Sequence, residues 1–264
     1  YAGQISGSEQ MVALQRRIQI RETIRTHIQR EQELYRKGIK VLSLFFIDEV
    51  SKYRSYDGDD DAGRNGEYAQ MFEEEYDSVV SELQRKIGDE AYLRYLDKLS
   101  ARTTHQGYFS IDKKKGKKAR FVESKIDRKT QTSDDADAYD LIMKDKERLL
   151  SLDEPVRFIF SHSALREGWD NPNVFQICTL KKQSDSDIRS RQEIGRGLRL
   201  CVDQQGERMD ESVLGSEVQA LNKLTLITDM EFGKFAEALQ SGLAESLADR
   251  PKKVDTQLFL GKVL

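Results

Sequence analysis

Residues 41–47 (Val-Leu-Ser-Leu-Phe-Phe-Ile) form an apolar run without alternation, and runs of the same kind recur at 156–160 and 174–180. A strand with one wet face alternates apolar and polar residues, so an unbroken run is the mark of a strand covered on both faces. Such strands belong to parallel sheets flanked by helices. The segment before the first run supplies a helix. From Met11 to about Lys37 there is no Pro or Gly, and Ile20, Ile24 and Ile28 fall on one face. Gly38 then stands at a plausible C′ position. Helix into buried strand is an α/β unit.

Between the first and second runs the pattern changes. Residues 53–66 are polar and rich in Asp and Gly, and read as a loop. Tyr68, Phe72, Val79, Leu83 and Ile87 then keep helical spacing up to Gly88, and a short helix follows at 90–99. Residues 107–111 and 119–122 flank Asp-Lys-Lys-Lys-Gly-Lys-Lys, which reads as a basic β-hairpin with Gly116 near its tip. A further helix is expected over about 135–150. The α/β pattern resumes with strands at 156–160 and 174–180, a helix at about 187–198 and a strand near 221–227. The expected architecture is an α/β parallel sheet flanked by helices, with a mainly helical insertion that contains the hairpin. Residues 1–51 hold the first helix and strand, 52–150 the insertion, 151–240 the rest of the sheet, and 241–264 a tail or linker.

Charge is segmented along the chain. Residues 11–40 carry eight Lys or Arg against three Glu, a net of +5, whereas residues 57–77 carry nine acids against Arg64 alone. The formal net charge of the 264 residues is -3, which excludes a uniformly basic nucleic-acid coat but not a local basic surface. With 34% charged residues, no stretch approaches the roughly 20 apolar residues of a membrane span. No secretory leader opens the sequence, and a first residue Tyr1 rather than Met points to a trimmed chain. Cys178 and Cys201 have no CxxC or CxxH neighbour, so neither a disulfide framework nor a zinc site is expected. A reducing, cytoplasmic setting fits, with no membrane contact.

The chemistry concentrates in two blocks. The first, Ser163-Ala-Leu-Arg-Glu-Gly-Trp-Asp-Asn-Pro172, follows a buried strand and so falls at the strand's C-terminal end, where open parallel sheets bind ligands. Gly168 lets backbone approach a ligand, and Asp170 offers an acceptor to a ribose hydroxyl or a water. A plain turn with an Asp cap accounts for the same string. The second block, Gln192-Glu-Ile-Gly-Arg-Gly-Leu-Arg199, places Gly195 and Gly197 inside an expected helix, where each Gly costs about 0.5 to 1 kcal/mol relative to Ala. Arg196 and Arg199, three apart, share a face on which small neighbours leave room for a polyanion. A solvated basic helix end is the alternative.

Other motifs fail on inspection. Gly195-Arg-Gly-Leu-Arg-Leu200 has Leu where the dinucleotide fingerprint needs its third Gly. Asp57, Asp59 and Asp61 imitate a calcium loop, but Ala62 occupies its obligatory Gly position and Tyr68 its bidentate Glu position. His27, His105 and His162 have no nucleophile in a recognisable elbow, so no catalysis is assigned to them. No metal site is expected.

The order strand, ALREGWDNP, strand, QEIGRGLRL resembles motifs V and VI of superfamily 2 helicases and translocases. The closer resemblance is to the Res subunit of type III restriction enzymes, carried by residues 40–48 as motif IV, by Gly107-Tyr-Phe-Ser-Ile-Asp112 as the hairpin after it, and by 158–180 around motif V. That resemblance covers about residues 20–239. It implies the second RecA-like domain of an ATP-dependent DNA translocase. Arg196 and Arg199 then correspond to arginine fingers on the γ-phosphate, Gln192 and Gly195 belong to the same nucleotide-facing helix, and Gly168 and Asp170 line the ATP cleft. Trp169 is read as a core residue rather than a base-stacking one. Lys113, Lys114, Lys115, Lys117, Lys118 and Arg120 are candidate contacts to DNA phosphates, with a solvated hairpin as the alternative. The implied cofactor is ATP with Mg²⁺, held mainly by a first RecA-like domain, because no GxxxxGK[ST] or DExH-like string occurs in the chain. The implied partners are double-stranded DNA, that first domain, a nuclease domain and a modification methyltransferase subunit. Another superfamily 2 motor of type I restriction or excision-repair type, or a non-hydrolysing docking module, would carry similar strings.

Overall fold

The computed structural model describes residues 7–55, 64–109, 111–112, 120–121, 140–162, 171–181 and 199–228, all in one structural unit. Strand β1 (Leu42–Phe46) is buried along its whole length. The two-residue strands β2 (Arg54–Ser55) and β3 (Arg64–Asn65) pair antiparallel, as do β5 (Ile111–Asp112) and β6 (Arg120–Phe121). Strands β4 (His105–Tyr108), β7 (Phe158–Ser161), β8 (Val174–Thr179) and β9 (Thr225–Ile227) join β1 in one sheet of order β4-β7-β1-β8-β9. Every neighbouring pair in it is parallel. This is an α/β fold of RecA-like type: the unalternating runs predict its parallel sheet, and the family resemblance its type.

The reason β1 does not alternate is visible on its two sides. Phe45 packs into one cluster with Ile20, Ile24 and Ile28 of helix α1 (Gly7–Tyr35) and with Phe72, Tyr76, Val79 and Leu83 of helix α2 (Glu67–Gln84). Leu42, Leu44 and Phe46 pack into a second cluster with Ile159, Ile177, Leu141, Ile142 and Leu149. Helix α1 ends where expected. Gly38 adopts φ 66°, a left-handed conformation that costs glycine little, while its N–H donates to Tyr35 O (3.0 Å) and Ile39 N–H to Leu34 O (3.3 Å).

The segmented charge also finds its physical meaning here. Arg17 pairs with Glu74 (2.7 Å) and Glu75 (2.9 Å), Arg21 with Glu75 (2.8 Å) and Glu82 (3.1 Å), and Arg25 with Glu82 (3.1 Å). The basic helix and the acidic helix neutralise each other side by side. Three cations of the +5 segment are therefore committed to the fold.

Three elements differ from the sequence expectation. The strand expected over 107–111 is two strands. His105–Tyr108 is an edge strand of the main sheet, and only Ile111–Asp112 belongs to the hairpin. Segment 52–150 thus contributes a strand to the sheet. Its sequence, His-Gln-Gly-Tyr, lacks an apolar run, and Gly107 is there for clearance. A Cβ on it would lie 2.4 Å from Cε1 of the Tyr53 ring. The helix expected over 135–150 is, among the described residues, a π-helical turn (Asp140–Lys144) followed by α4 (Lys146–Leu150). Asp145 separates them by accepting from Arg148 N–H (3.1 Å), an N-cap that starts a new helix. The strand expected at 221–227 begins only at Thr225, since Val218–Leu221 is helical. The remaining helix α3 (Glu90–Leu96) is capped by Asp89, whose carboxylate accepts from the Ala91 and Tyr92 N–H groups (3.0 and 3.3 Å). The expected helix over 187–198 and the tail over 241–264 lie outside the described residues.

Candidate functional site

Because all five strands run the same way, their C-terminal ends meet at one edge. Phe46 is in register with Ser161 and Thr179, and Ser161 with Tyr108. From Ser161 the chain passes through His162 into the first block, and from Thr179 through Leu180 and Lys181 toward the second. The two strands that flank β1 and precede the two blocks in sequence therefore both end at this edge, the crevice-forming end of an open parallel sheet.

Of the predicted site residues, Arg199 is described and exposed. Gly168, Trp169, Asp170, Gln192, Gly195 and Arg196 lie outside the described residues, as do the hairpin residues Lys113, Lys114, Lys115, Lys117 and Lys118. Arg120 stands in β6, in register opposite Asp112.

The described part of the edge is polar and internally paired. Asp48, two residues beyond β1, accepts from Lys52 Nζ (2.5 Å) and from the Tyr68 hydroxyl (3.2 Å). Burial, and then the Asp48 charge, pushes the Tyr68 phenol up to about 12, so it serves as a neutral donor. Burial opposes the charge on Lys52, but the bond to Asp48 and the neighbouring charges of Asp48 and Glu49, with Tyr68, together outweigh it and the pKa is raised. On the other side of β1, Gln19 Nε2 donates to the Thr179 carbonyl (3.2 Å) and the buried Arg16 guanidinium donates to Gln19 Oε1 (2.8 Å). Helix α1 is thereby fixed to the end of β8.

Downstream of both blocks the structure brings together residues that the motifs do not mark. Asn171 and Asn173, at the exit of the first block, are fully buried. Asn173 Oδ1 accepts from Val202 N–H (2.8 Å) while Asn173 Nδ2 donates to Val202 O (2.9 Å). Val202 lies three residues beyond Arg199. One sequence signal was available: two asparagines directly before a buried strand need amide partners there, because buried polar groups are satisfied. Which partners is a tertiary matter.

The described contacts of His27 and His105 are structural. His27 Nδ1 lies 2.8 Å from Ser43 Oγ, but the Ser43 hydroxyl donates to Gln176 Oε1 (2.8 Å), so the imidazole is the donor and Ser43 is no activated nucleophile. Both residues are fully buried, closed to any substrate. Burial holds His27 below its ordinary pKa, in the neutral form. Its Nε2 is 3.7 Å from Glu31 Oε1, and Glu31 is itself bound by Arg157 (3.3 Å) and by the Tyr92 hydroxyl (2.9 Å). Burial would raise the Glu31 carboxyl, yet the Arg157 charge and the contacts with His27 and Tyr92 together overcome it and hold the pKa at about 2. Burial, reinforced by Arg157, holds Lys40 well below its usual range, and its Nζ donates to Glu154 O (2.5 Å). His105 Nδ1 meets the Tyr53 hydroxyl (2.8 Å), tying β4 to the loop after β1.

Among the described residues no cluster of three His, Cys, Asp or Glu could hold a metal ion, and no helix is long and apolar enough to cross a membrane. Cys178 and Cys201 are buried thiols, the Cys201 thiol pushed up to about 11 by burial. No family model matches the chain. The Res subunit of the type III restriction-modification enzyme EcoP15I from Escherichia coli is 42% identical over 189 residues, which is 70% of this chain and 17% of that protein. The EcoPI Res subunit from Escherichia phage P1 is 43% identical over 189 residues, again 70% of this chain and 17% of its own length. The StyLTI Res subunit from Salmonella typhimurium is 35% identical over 197 residues, 69% of this chain and 18% of its own length. The chain is homologous to a part of type III restriction enzyme Res subunits. It spans under a fifth of the length of these relatives. The homology and the parallel sheet agree with the resemblance that the two blocks carry.

Proposed function

We propose that the chain is the second RecA-like motor domain of an ATP-dependent DNA translocase in a type III restriction endonuclease. The observation that carries this reading is that the strands leading in sequence to the two blocks, β7 and β8, end at one edge of a parallel sheet, in a chain homologous to Res subunits. In this reading Arg196 and Arg199 stabilise charge on the transferring phosphoryl group, and Gln192 and Gly195 hold the helix that presents them. Gly168 and Asp170 line the same cleft and link it to bound DNA.

The donor set fits a share of an ATP·Mg²⁺ site rather than all of it. The blocks offer guanidinium and amide donors, which suit phosphate oxygens. Carboxylates suited to Mg²⁺ are not clustered among the described residues, and the sequence contains no phosphate-cradling GxxxxGK[ST] loop. ATP with Mg²⁺ supplies the phosphoryl group whose hydrolysis drives movement; its cradle and metal ligands fall to a first RecA-like domain. Double-stranded DNA, that first domain, a nuclease domain and a modification methyltransferase subunit are the partners of this reading.

The test is DNA-stimulated ATP turnover in the full-length protein. Arg199→Ala should lower kcat by about 10³ to 10⁵, the range for arginine fingers, with DNA affinity little changed. The 264-residue chain by itself should show no turnover above background. Near-normal turnover in the variant, or robust hydrolysis by the isolated chain, refutes the assignment.

A further inference from the structure

Residues 201 and 202 follow Arg199 almost directly, and all four of their main-chain polar groups are held. Cys201 N–H donates to Asn222 Oδ1 (2.8 Å), and its carbonyl accepts from Met209 N–H (2.8 Å). Val202 N–H and C=O are both taken by the Asn173 side chain, at 2.8 and 2.9 Å. The Asn173 amide thus copies the pair of bonds that a neighbouring strand would offer. Its own backbone is equally constrained: its N–H donates to Asn171 Oδ1 (3.0 Å), and its carbonyl accepts from Leu42 N–H (2.9 Å), the first residue of β1.

A continuous set of bonds therefore runs from the central strand, through the residue just past the first block, to the segment just past the second. Side-chain chemistry singles out asparagine for this. Asp has the same length but no N–H donor for the Val202 carbonyl, Gln is a methylene too long, and Ala has neither group. Asn173 is fully buried, so its side chain has no bulk water to turn to in place of Val202.

We propose that Asn173 is a positioning residue for Arg199, holding the segment just past it by clasping residue 202 to the start of β8. This rests on the motor reading above. A displacement of about 1 Å in a catalytic group can cost on the order of 100-fold in rate, so a clasp three residues from Arg199 has kinetic weight without touching the nucleotide.

The experiment compares Asn173→Ala, Asn173→Asp, Arg199→Ala and the Asn173→Ala/Arg199→Ala double variant in the full-length protein. The readouts are DNA-stimulated ATP turnover, KM for ATP and DNA affinity. Asn173→Ala should lower kcat by about tenfold or more while KM for ATP and DNA affinity stay within about twofold. Asn173→Asp, which keeps the acceptor for Val202 N–H, should fall between parent and Ala. The double variant should turn over no more slowly than Arg199→Ala alone, because a positioning residue has nothing left to position. Full turnover in Asn173→Ala beside an inactive Arg199→Ala overturns the inference and leaves the motor reading intact. Full turnover in Arg199→Ala overturns the motor reading instead. Losses that multiply in the double variant, or kcat and DNA affinity that fall together, show a merely structural role and also overturn the inference. If Asn173→Ala does not accumulate as folded protein, Asn173→Asp carries the same comparisons.

Discussion

Replacing Glu31 by Gln removes the only negative partner within 4 Å, among the described residues, of a guanidinium that is 1% exposed, and the structure sets the size of the effect. In the folded chain Arg157, with His27 and Tyr92, outweighs burial and holds the Glu31 carboxyl at about 2, against an ordinary 4.5. At about 1.4 kcal/mol per pH unit, that difference corresponds to about 3 kcal/mol of folding stability at neutral pH. Breaking a buried ion pair from one side costs about 3 to 5 kcal/mol by an independent route, since the surviving charge is left desolvated. Here Lys40 lies close enough to Arg157 to make matters worse, each disfavouring the other's charge. The sign follows from the direction of the shift. A depressed carboxyl stabilises fully above its unfolded pKa, and that contribution is lost as pH falls from about 4.5 toward about 2. Denaturant unfolding of the parent and of Glu31→Gln between about pH 2 and 7 is the assay. The gap should be about 3 kcal/mol or more above about pH 5 and should narrow steadily below it. The double variant Glu31→Gln/Arg157→Met, with neither charge, should recover most of the loss. A single variant within about 1 kcal/mol of the parent at neutral pH, or a gap that does not move with pH, refutes the reasoning.

Two further outcomes are expected. Neutralising Lys113, Lys114 and Lys117 to Gln in the full-length protein should reduce the slope of log K against log salt by about 0.9 for each duplex phosphate no longer neutralised, and about equally for unrelated DNA sequences; an unchanged slope returns the hairpin to ordinary solvated surface. Gly66→Ala should destabilise the chain by about 1 to 3 kcal/mol in thermal unfolding, because the new Cβ would lie 2.5 Å from the carbonyl oxygens of Ser51 and Lys52 and backbone cannot yield as a side chain does. A melting temperature equal to the parent's would show that the turn before α2 has room to relax.

The part of the molecule written in local chemistry is legible in the residues alone. Three unalternating apolar runs dictate strands buried on both faces, and they are β1, β7 and β8, the middle of the sheet. Ile20, Ile24 and Ile28 dictate the buried stripe of α1, and Gly38 its end, since only a residue without Cβ turns there cheaply. The second block stood out as a candidate because Gly inside an expected helix costs stability unless something uses it.

Whatever depends on partners far away in the chain was settled by the fold. Strand β4 was illegible because His-Gln-Gly-Tyr has no strand signature of its own; it is a strand because β7 offers an open edge and Gly107 leaves room for Tyr53. The +5 segment was legible as charge but not as an ion-pair seam, since its counter-charges lie 54 to 61 residues away on α2. The clasp between Asn173 and Val202 joins residues 29 apart in sequence. A side-chain amide can bond to any backbone group within reach, so its sequence says only that a partner is needed, and the fold says which one.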